Sequence, residues 1–164
     1  MERTKKHILF IFIITISSQI DLALFTHDFM ISGGIIAFSI IYYFYRNLNA
    51  ILTGIVSGIF VCLLRVLVSI VGGGSFIQGL ISFFPETFFY IAFGISIKIF
   101  SDKDFFSNLN KLFYAVLVSD IIANGTEMLI RSQIGLIKLN INIACTLLIV
   151  AVIRSFIVWA ILNA

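Results

Sequence analysis

Six runs of apolar residues, each about as long as a lipid bilayer is thick, occupy almost the whole sequence. They cover residues 7–24, 29–45, 48–71, 76–100, 112–130 and 139–162. An α-helix rises about 1.5 Å per residue, so about twenty residues cross a hydrocarbon core of roughly 30 Å. We therefore predict an all-α fold, a polytopic membrane helix bundle with about six transmembrane helices. The chain, residues 1–164, should form a single integral-membrane domain.

The composition excludes most soluble functions. Hydrophobic residues make up 60% of the chain and charged residues only 12%, whereas a soluble domain is about one-quarter charged. The spans leave no room for a nucleotide-binding fold or a cytosolic catalytic core. No Ser-His-Asp, HExxH, Cys-His or Walker pattern appears, so we expect no enzyme, cofactor or metal. Both cysteines, Cys62 and Cys145, lie in apolar runs and are interpreted as packing residues.

The basic residues predict how the chain is oriented. On one side of the predicted topology lie Arg3, Lys5, Lys6, Arg46, Lys98, Lys103 and Lys111, and on the other lie Arg131 and Lys138. Cytoplasmic loops are enriched in Lys and Arg, so both termini should be cytoplasmic in a bacterial plasma membrane. The net charge of +3 is explained in this way, and nucleic acid is not an expected partner.

The last span ends without a polar tail, so we expect a longer cytosolic part to follow. Pro85, inside the fourth run, should kink or break that helix.

Three acidic and three basic residues fall inside the predicted spans. They are Arg65, Glu86, Asp120, Glu127, Arg131 and Arg154. A charge at the centre of a bilayer costs at least about 2.5–3.5 kcal/mol, so each needs a partner or an aqueous cavity. Counting from the span ends predicts an outer network in which Arg65 pairs with Glu86 or Glu127. Asp120 and Arg154 lie deeper, and we predict that they form an inner pair.

Helical spacing places several of these residues on one face. Asp120, Asn124, Glu127 and Arg131 lie at positions i, i+4, i+7 and i+11, which form a narrow stripe that should face the bundle interior. In the third span Gly54-x-x-x-Gly58 shares a face with Arg65 and permits close helix approach.

These residues have two interpretations, and both remain open. The balanced charges can serve only to fix helix register. Alternatively, they form a ligand-binding or switch network, whose candidate members are Arg65, Glu86, Asp120, Asn124, Glu127, Arg131 and Arg154.

The scattered polar and glycine residues resemble a known membrane region. The motifs that carry the likeness are residues 46–60 leading to Leu64-Arg65, Gly74-Ser75-Phe76, Phe84-Pro85-Glu86, Phe89-Tyr90, Phe93-Gly94 and the stripe from Asp120 to Arg131. Together they resemble the N-terminal membrane sensor region of clostridial-type sensor histidine kinases. The resemblance implies a signal-input domain of a two-component system, with an unidentified small ligand, a homodimer formed through the membrane domain, and output through the last helix.

Two other functions compete with this interpretation. Substrate-binding subunits of energy-coupling-factor vitamin transporters are six-helix proteins of similar length, with a pocket that opens outward. The sequence departs from them at residues 12–19, which lack the paired alanines those subunits use to contact their partner. The third possibility is a purely structural or assembly protein of the membrane.

Overall fold

The computed structural model describes residues 2–26, 29–102 and 108–164, and for residues 2–4, 21–26, 29–31 and 102 it describes the backbone alone. Lys103, counted in the orientation prediction, lies outside the described residues. Within them are six helices and two strands. In chain order they are α1 (Glu2–Ser17), β1 (Asp21–Thr26), β2 (Phe29–Ser32), α2 (Gly33–Phe44), α3 (Ala50–Val71), α4 (Phe76–Asp102), α5 (Leu109–Gln133) and α6 (Ile141–Asn163).

Four of the helices, α3 to α6, are long and apolar enough to cross a membrane. Their outward surfaces carry large hydrophobic side chains such as Leu67, Ile77 and Phe156, all more than half exposed. Exposed apolar surface of this extent is unfavourable in water but is solvated by lipid. The described helices therefore support the prediction of a multi-pass helical membrane protein.

The predicted first and second spans are wrong in their boundaries. Helix α1 ends at Ser17, and α2 begins only at Gly33. The residues between them include an antiparallel hairpin of β1 and β2. At 1.5 Å per residue, α1 is about 24 Å long and α2 about 18 Å, each shorter than a hydrocarbon core of about 30 Å. The count of six spans thus stays a prediction.

Local hydrogen bonds explain why the helices stop there. The Ser18 hydroxyl donates to the Thr15 carbonyl oxygen at 2.6 Å, and the Ile20 amide bonds back three residues to Ser17. Such tightened bonds terminate a helix. At the other side of the hairpin, the Ser32 side chain accepts from the Gly34 amide and caps α2. Hydropathy could not predict this interruption because a short apolar run suits a strand as well as a helix.

The six helices form a ring in which each packs on its two neighbours, in the order α1, α3, α4, α5, α6, α2 and back to α1. Aromatic side chains fill the interior, where the rings of Phe38 on α2 and Phe93 on α4 lie 5.4 Å apart. We call the end of the bundle that carries the β1–β2 hairpin the hairpin end.

Helices α3 and α4 approach each other at Gly54 and Gly94; the sequence predicted a close helix approach at Gly54 but not its partner helix. A Cβ atom added at Gly54 would lie 2.5 Å from the Tyr90 carbonyl oxygen, and one at Gly94 would lie 2.5 Å from that of Ala50. Neither backbone could give way without moving its helix. The sequence predicted a kink or a break at Pro85; a break is wrong, because α4 runs through that residue as one helix, and the kink stays a prediction. Pro85 is buried. A proline inside a helix is tolerated in such a position because neighbouring protein groups can satisfy the backbone carbonyl that it leaves without a donor.

Candidate functional site

Arg65 and Glu86 form an ion pair near the hairpin end. The Arg65 Nε lies 3.0 Å from Glu86 Oε2, which joins α3 to α4, and the two side chains are 18% and 14% exposed. The Arg65 guanidinium also donates from Nη2 to the Ser18 carbonyl oxygen at 3.0 Å. One arginine therefore connects three elements: α3, α4 and the backbone just after α1. The sequence predicted Arg65 with Glu86 or Glu127, and the contact with Glu86 is present.

Asp120 and Arg154 form the second predicted pair, and it is also present. Arg154 Nε lies 3.0 Å from Asp120 Oδ2, and the two side chains are 4% and 0% exposed. Asn124 completes the cluster from one turn along α5. Its amide nitrogen donates to Asp120 Oδ1 at 3.0 Å, and its Oδ1 accepts from Arg154 Nη2 at 3.2 Å. These contacts hold α6 against α5 through a fully buried charge pair.

Glu127 and Arg131 form the third pair, closed within α5. Arg131 Nε donates to Glu127 Oε1 at 2.8 Å, and both side chains are partly buried. The polar stripe along α5 is therefore not equally buried along its length. Asp120 and Asn124 are buried in the bundle, whereas Glu127 and Arg131 approach its surface. The prediction of an inward-facing stripe is confirmed for its first half and only partly for its second.

Two aromatic residues on α4 belong to the site, although sequence reasoning did not assign them to it. Phe89 and Tyr90 are 4% and 2% exposed, with ring centroids 5.4 Å apart. The Arg154 guanidinium lies 5.5 Å from the centroid of the Phe89 ring, in cation–π geometry. Phe89 and Tyr90 follow Glu86 by three and four residues. This spacing could have assigned them to the site, since residues so spaced share a helix face.

Tyr90 fills the space between α4 and the start of α2. Its hydroxyl group lies against Gly34, where any Cβ atom would collide with it. Ser32, the last residue of the hairpin, places its side chain beside the same hydroxyl. Gly34 is therefore required by a close side-chain approach rather than by its backbone angle.

These contacts form one continuous path across the bundle, which we call the hairpin–α6 path. It runs from the Ser18 carbonyl through Arg65 and Glu86, along one turn of α4 to Phe89, and on to Arg154 of α6. Asp120 and Asn124 complete it from α5. Within the residues that the structure describes, no group of three or more His, Cys, Asp or Glu side chains could hold a metal ion.

The fold and these contacts define a helical bundle with ion pairs inside it, in which four helices are long and apolar enough to cross a membrane. Comparisons with protein-family models, with curated proteins and with solved structures found no match for this chain.

Proposed function

We propose that the chain is the membrane-embedded signal-input domain of a bacterial sensor histidine kinase, and that α6 carries the output. The observation that supports this most directly is the position of Arg154. This buried cation of α6 is held both by Asp120 of α5 and by the Phe89 ring of α4. Any movement that separates α4 from α5 must therefore act on α6.

The proposal places both termini in the cytoplasm and gives the chain six passes. Its support is the asymmetry of Lys and Arg between the loops of the two sides. The hairpin end then faces outward, away from the kinase. Since α1 and α2 are short, the described residues 18–26 and 29–32 would add to the length of the first two passes.

The input would act at the hairpin end. Arg65 binds the Ser18 carbonyl just before the hairpin and Glu86 on α4. A small ligand or a change in the membrane that favours another position of the hairpin would therefore bias this ion pair. A stimulus can shift such an equilibrium only by its differential affinity for the two arrangements. Glu86 lies one turn from Phe89, so the shift would reach Arg154 along α4.

A chimaeric kinase tests this proposal. Residues 1–164 would be joined at several helical phases to the cytosolic dimerisation and kinase domains of a well-characterised sensor, with a transcriptional reporter. We expect Asp120→Arg and Arg154→Asp each to change the reporter output, because each places like charges together in the bundle. Combining them restores an ion pair and should return most of the output. Membrane levels of every variant would be measured by immunoblot.

The Glu127–Arg131 pair supplies the matched control. Exchanging its two charges also reverses an ion pair, but this pair joins α5 only to itself. The exchange should leave the output near that of the parent. Equal effects of the two exchanges, or no recovery when Asp120→Arg is combined with Arg154→Asp, would contradict the proposed role of the hairpin–α6 path. The native reading frame after Ala164 gives a second test, since a following kinase domain supports the proposal and a stop codon contradicts it.

A vitamin-binding subunit of an energy-coupling-factor transporter is the alternative function. The ring of six helices, with a polar layer near the hairpin end, favours it. Such a subunit must associate with a coupling membrane protein and an ATPase pair. Co-expression with those components, followed by affinity purification and an uptake assay, separates the two functions. Stable co-purification would favour the transporter and count against the sensor.

A further inference from the structure

The two ends of the β1–β2 hairpin meet at a closed neck, which we define as residues 17–20 and 32–34. The Gly33 amide donates to the Ile20 carbonyl oxygen at 3.0 Å. The Ser32 hydroxyl donates to the Ser18 carbonyl oxygen at 3.4 Å. These two hydrogen bonds join the segment after α1 to the segment before α2, so the hairpin stands on one hydrogen-bonded base.

The Ser18 carbonyl oxygen is one point at which the neck is attached to the bundle. Besides the Ser32 hydroxyl it accepts from Arg65 Nη2 of α3 at 3.0 Å, and Ser18 is fully buried. Arg65 in turn forms the ion pair with Glu86 of α4. We call this connection, from the neck through Arg65 to Glu86, the first anchor.

Tyr90 of α4 attaches the neck at a second point. Its side chain is 2% exposed, and its hydroxyl group lies against Gly34 and beside the Ser32 side chain. The Ser32 oxygen also accepts from the Gly34 amide at 3.3 Å. A serine hydroxyl can donate one hydrogen bond and accept two, so Ser32 can serve Ser18, Gly34 and Tyr90 together. The contact of Tyr90 with the neck is the second anchor, and it meets the first at Ser32.

Both anchors arise from the same turn of α4. Glu86 and Tyr90 are four residues apart, and residues so spaced share a helix face. Phe89, in the same turn, lies against the Arg154 guanidinium of α6, which is 5.5 Å from its ring centroid. A displacement of this turn therefore acts on both anchors and on α6.

We propose that the hairpin neck and residues 86–90 of α4 form a two-point clamp, whose two anchors release in a single opening event. As the step through which a stimulus acts, the clamp rests on the proposed sensor function. It extends that function by making Tyr90 a second contact that the stimulus must release. A ligand that displaced Arg65 alone would leave Tyr90 holding the start of α2 against α4.

Amide hydrogen exchange of the full chain in detergent micelles tests the clamp. Mass spectrometry with fragmentation would give rates for the Ile20 amide at one end of the neck and the Gly34 amide at the other. Glu86→Gln weakens the first anchor, and Tyr90→Phe removes the hydroxyl of the second. The matched control is Tyr114→Phe, which removes a hydroxyl from an exposed tyrosine of α5. Circular dichroism verifies that each variant is folded.

A single opening event predicts that each anchor variant accelerates exchange at both ends of the neck, because exchange reports the population of the open state. We expect about fivefold for each variant, the factor that corresponds to the loss of one hydrogen bond. Glu86→Gln combined with Tyr90→Phe should give about the product of the two, about 25-fold. Tyr114→Phe should change neither rate by more than about twofold.

Gly34→Ala gives a second test of the Tyr90 anchor. The added Cβ would collide with the Tyr90 hydroxyl, so both amides should exchange about tenfold faster or more. When Tyr90→Phe is added, the nearest atoms are Ser18 Cβ at 3.0 Å and the ring Cζ at 3.2 Å. A shift of a few tenths of an ångström relieves such contacts, so the combination should exchange within about threefold of Tyr90→Phe alone.

Two results would overturn the clamp. If Tyr90→Phe accelerated only the Gly34 amide and Glu86→Gln only the Ile20 amide, the anchors would release separately. Equal acceleration by Gly34→Ala with and without Tyr90→Phe would mean that the tyrosine does not hold the neck. If Gly34→Ala does not fold, the first result decides. Since these rates need no kinase, acceleration at both ends with an unchanged output of the chimaeric kinase in Tyr90→Phe would support the clamp and contradict the sensor function.

Discussion

The buried ion pair between Asp120 of α5 and Arg154 of α6 should stabilise the bundle only when both residues are present, because either charge alone is unfavourable in the interior. Asp120 is fully buried and Arg154 is 4% exposed. Truncating the aspartate, Asp120→Ala, leaves a guanidinium inside the bundle with the Asn124 oxygen and the Phe89 ring as its remaining described contacts.

The expected magnitude follows from those contacts. Removing one partner of a buried ion pair costs about 3–5 kcal/mol, chiefly because an uncompensated charge stays buried. The Asn124 and Phe89 contacts still stabilise part of that charge, so we expect about 3 kcal/mol for Asp120→Ala. Replacing both partners by apolar residues, Asp120→Leu with Arg154→Met, removes the charge altogether. The double variant should lie within about 1 kcal/mol of the parent.

Unfolding in mixed micelles with increasing SDS measures these free energies. Trp159, the single tryptophan, reports on this interface because its Nε1 donates to Asn110 Oδ1 of α5 at 3.3 Å. Glu127→Ala is the control, since its partly exposed pair within one helix should contribute less than about 1 kcal/mol. The reasoning is refuted if the double variant is as unstable as Asp120→Ala, because packing and not charge would then explain the loss.

Two further changes test the fold. Gly54→Val should destabilise the bundle by about 2 kcal/mol or more in the same SDS titration, because its Cβ would meet the Tyr90 carbonyl oxygen. Gly125→Ala, where a Cβ meets nothing within 4 Å, should instead be neutral or stabilising by up to about 1 kcal/mol; equal losses at both glycines would contradict the packing described. Glu86→Gln removes the charge opposite the α3 guanidinium, so we expect faster hydrogen exchange at the Gly33 amide, which closes the hairpin onto Ile20. An unchanged exchange rate by mass spectrometry would argue against coupling between that ion pair and the hairpin.

The sequence by itself predicted an all-helical bundle with long apolar helices and the partner of Asp120, and it narrowed the partner of Arg65 to two carboxylates. Apolar runs of this length and low charge are typical of membrane spans and not of a soluble domain. Charges inside such runs must pair, and depth along each run left few choices. Asp120 with Arg154, and Arg65 with Glu86 as one of two options, followed from that constraint. The close helix approach at Gly54 and Gly58 followed from the spacing of these two small residues, although the sequence did not identify α4 as the helix they meet.

Only the tertiary structure decided the remaining features. The end of α1 and the start of α2 are marked by hydrogen bonds at Ser18 and Ser32, and the strands between them could not be predicted because hydropathy is equally high for an apolar strand and an apolar helix. The roles of Phe89 and Tyr90 depend on which helix lies opposite α4. The helix that lies opposite α4 is set by the order of the helices around the ring. No periodicity or residue spacing in a single sequence predicts that order. The packing of α1 against the end of α2, where the rings of Phe10 and Tyr45 lie 4.6 Å apart, likewise joins residues that are distant along the chain.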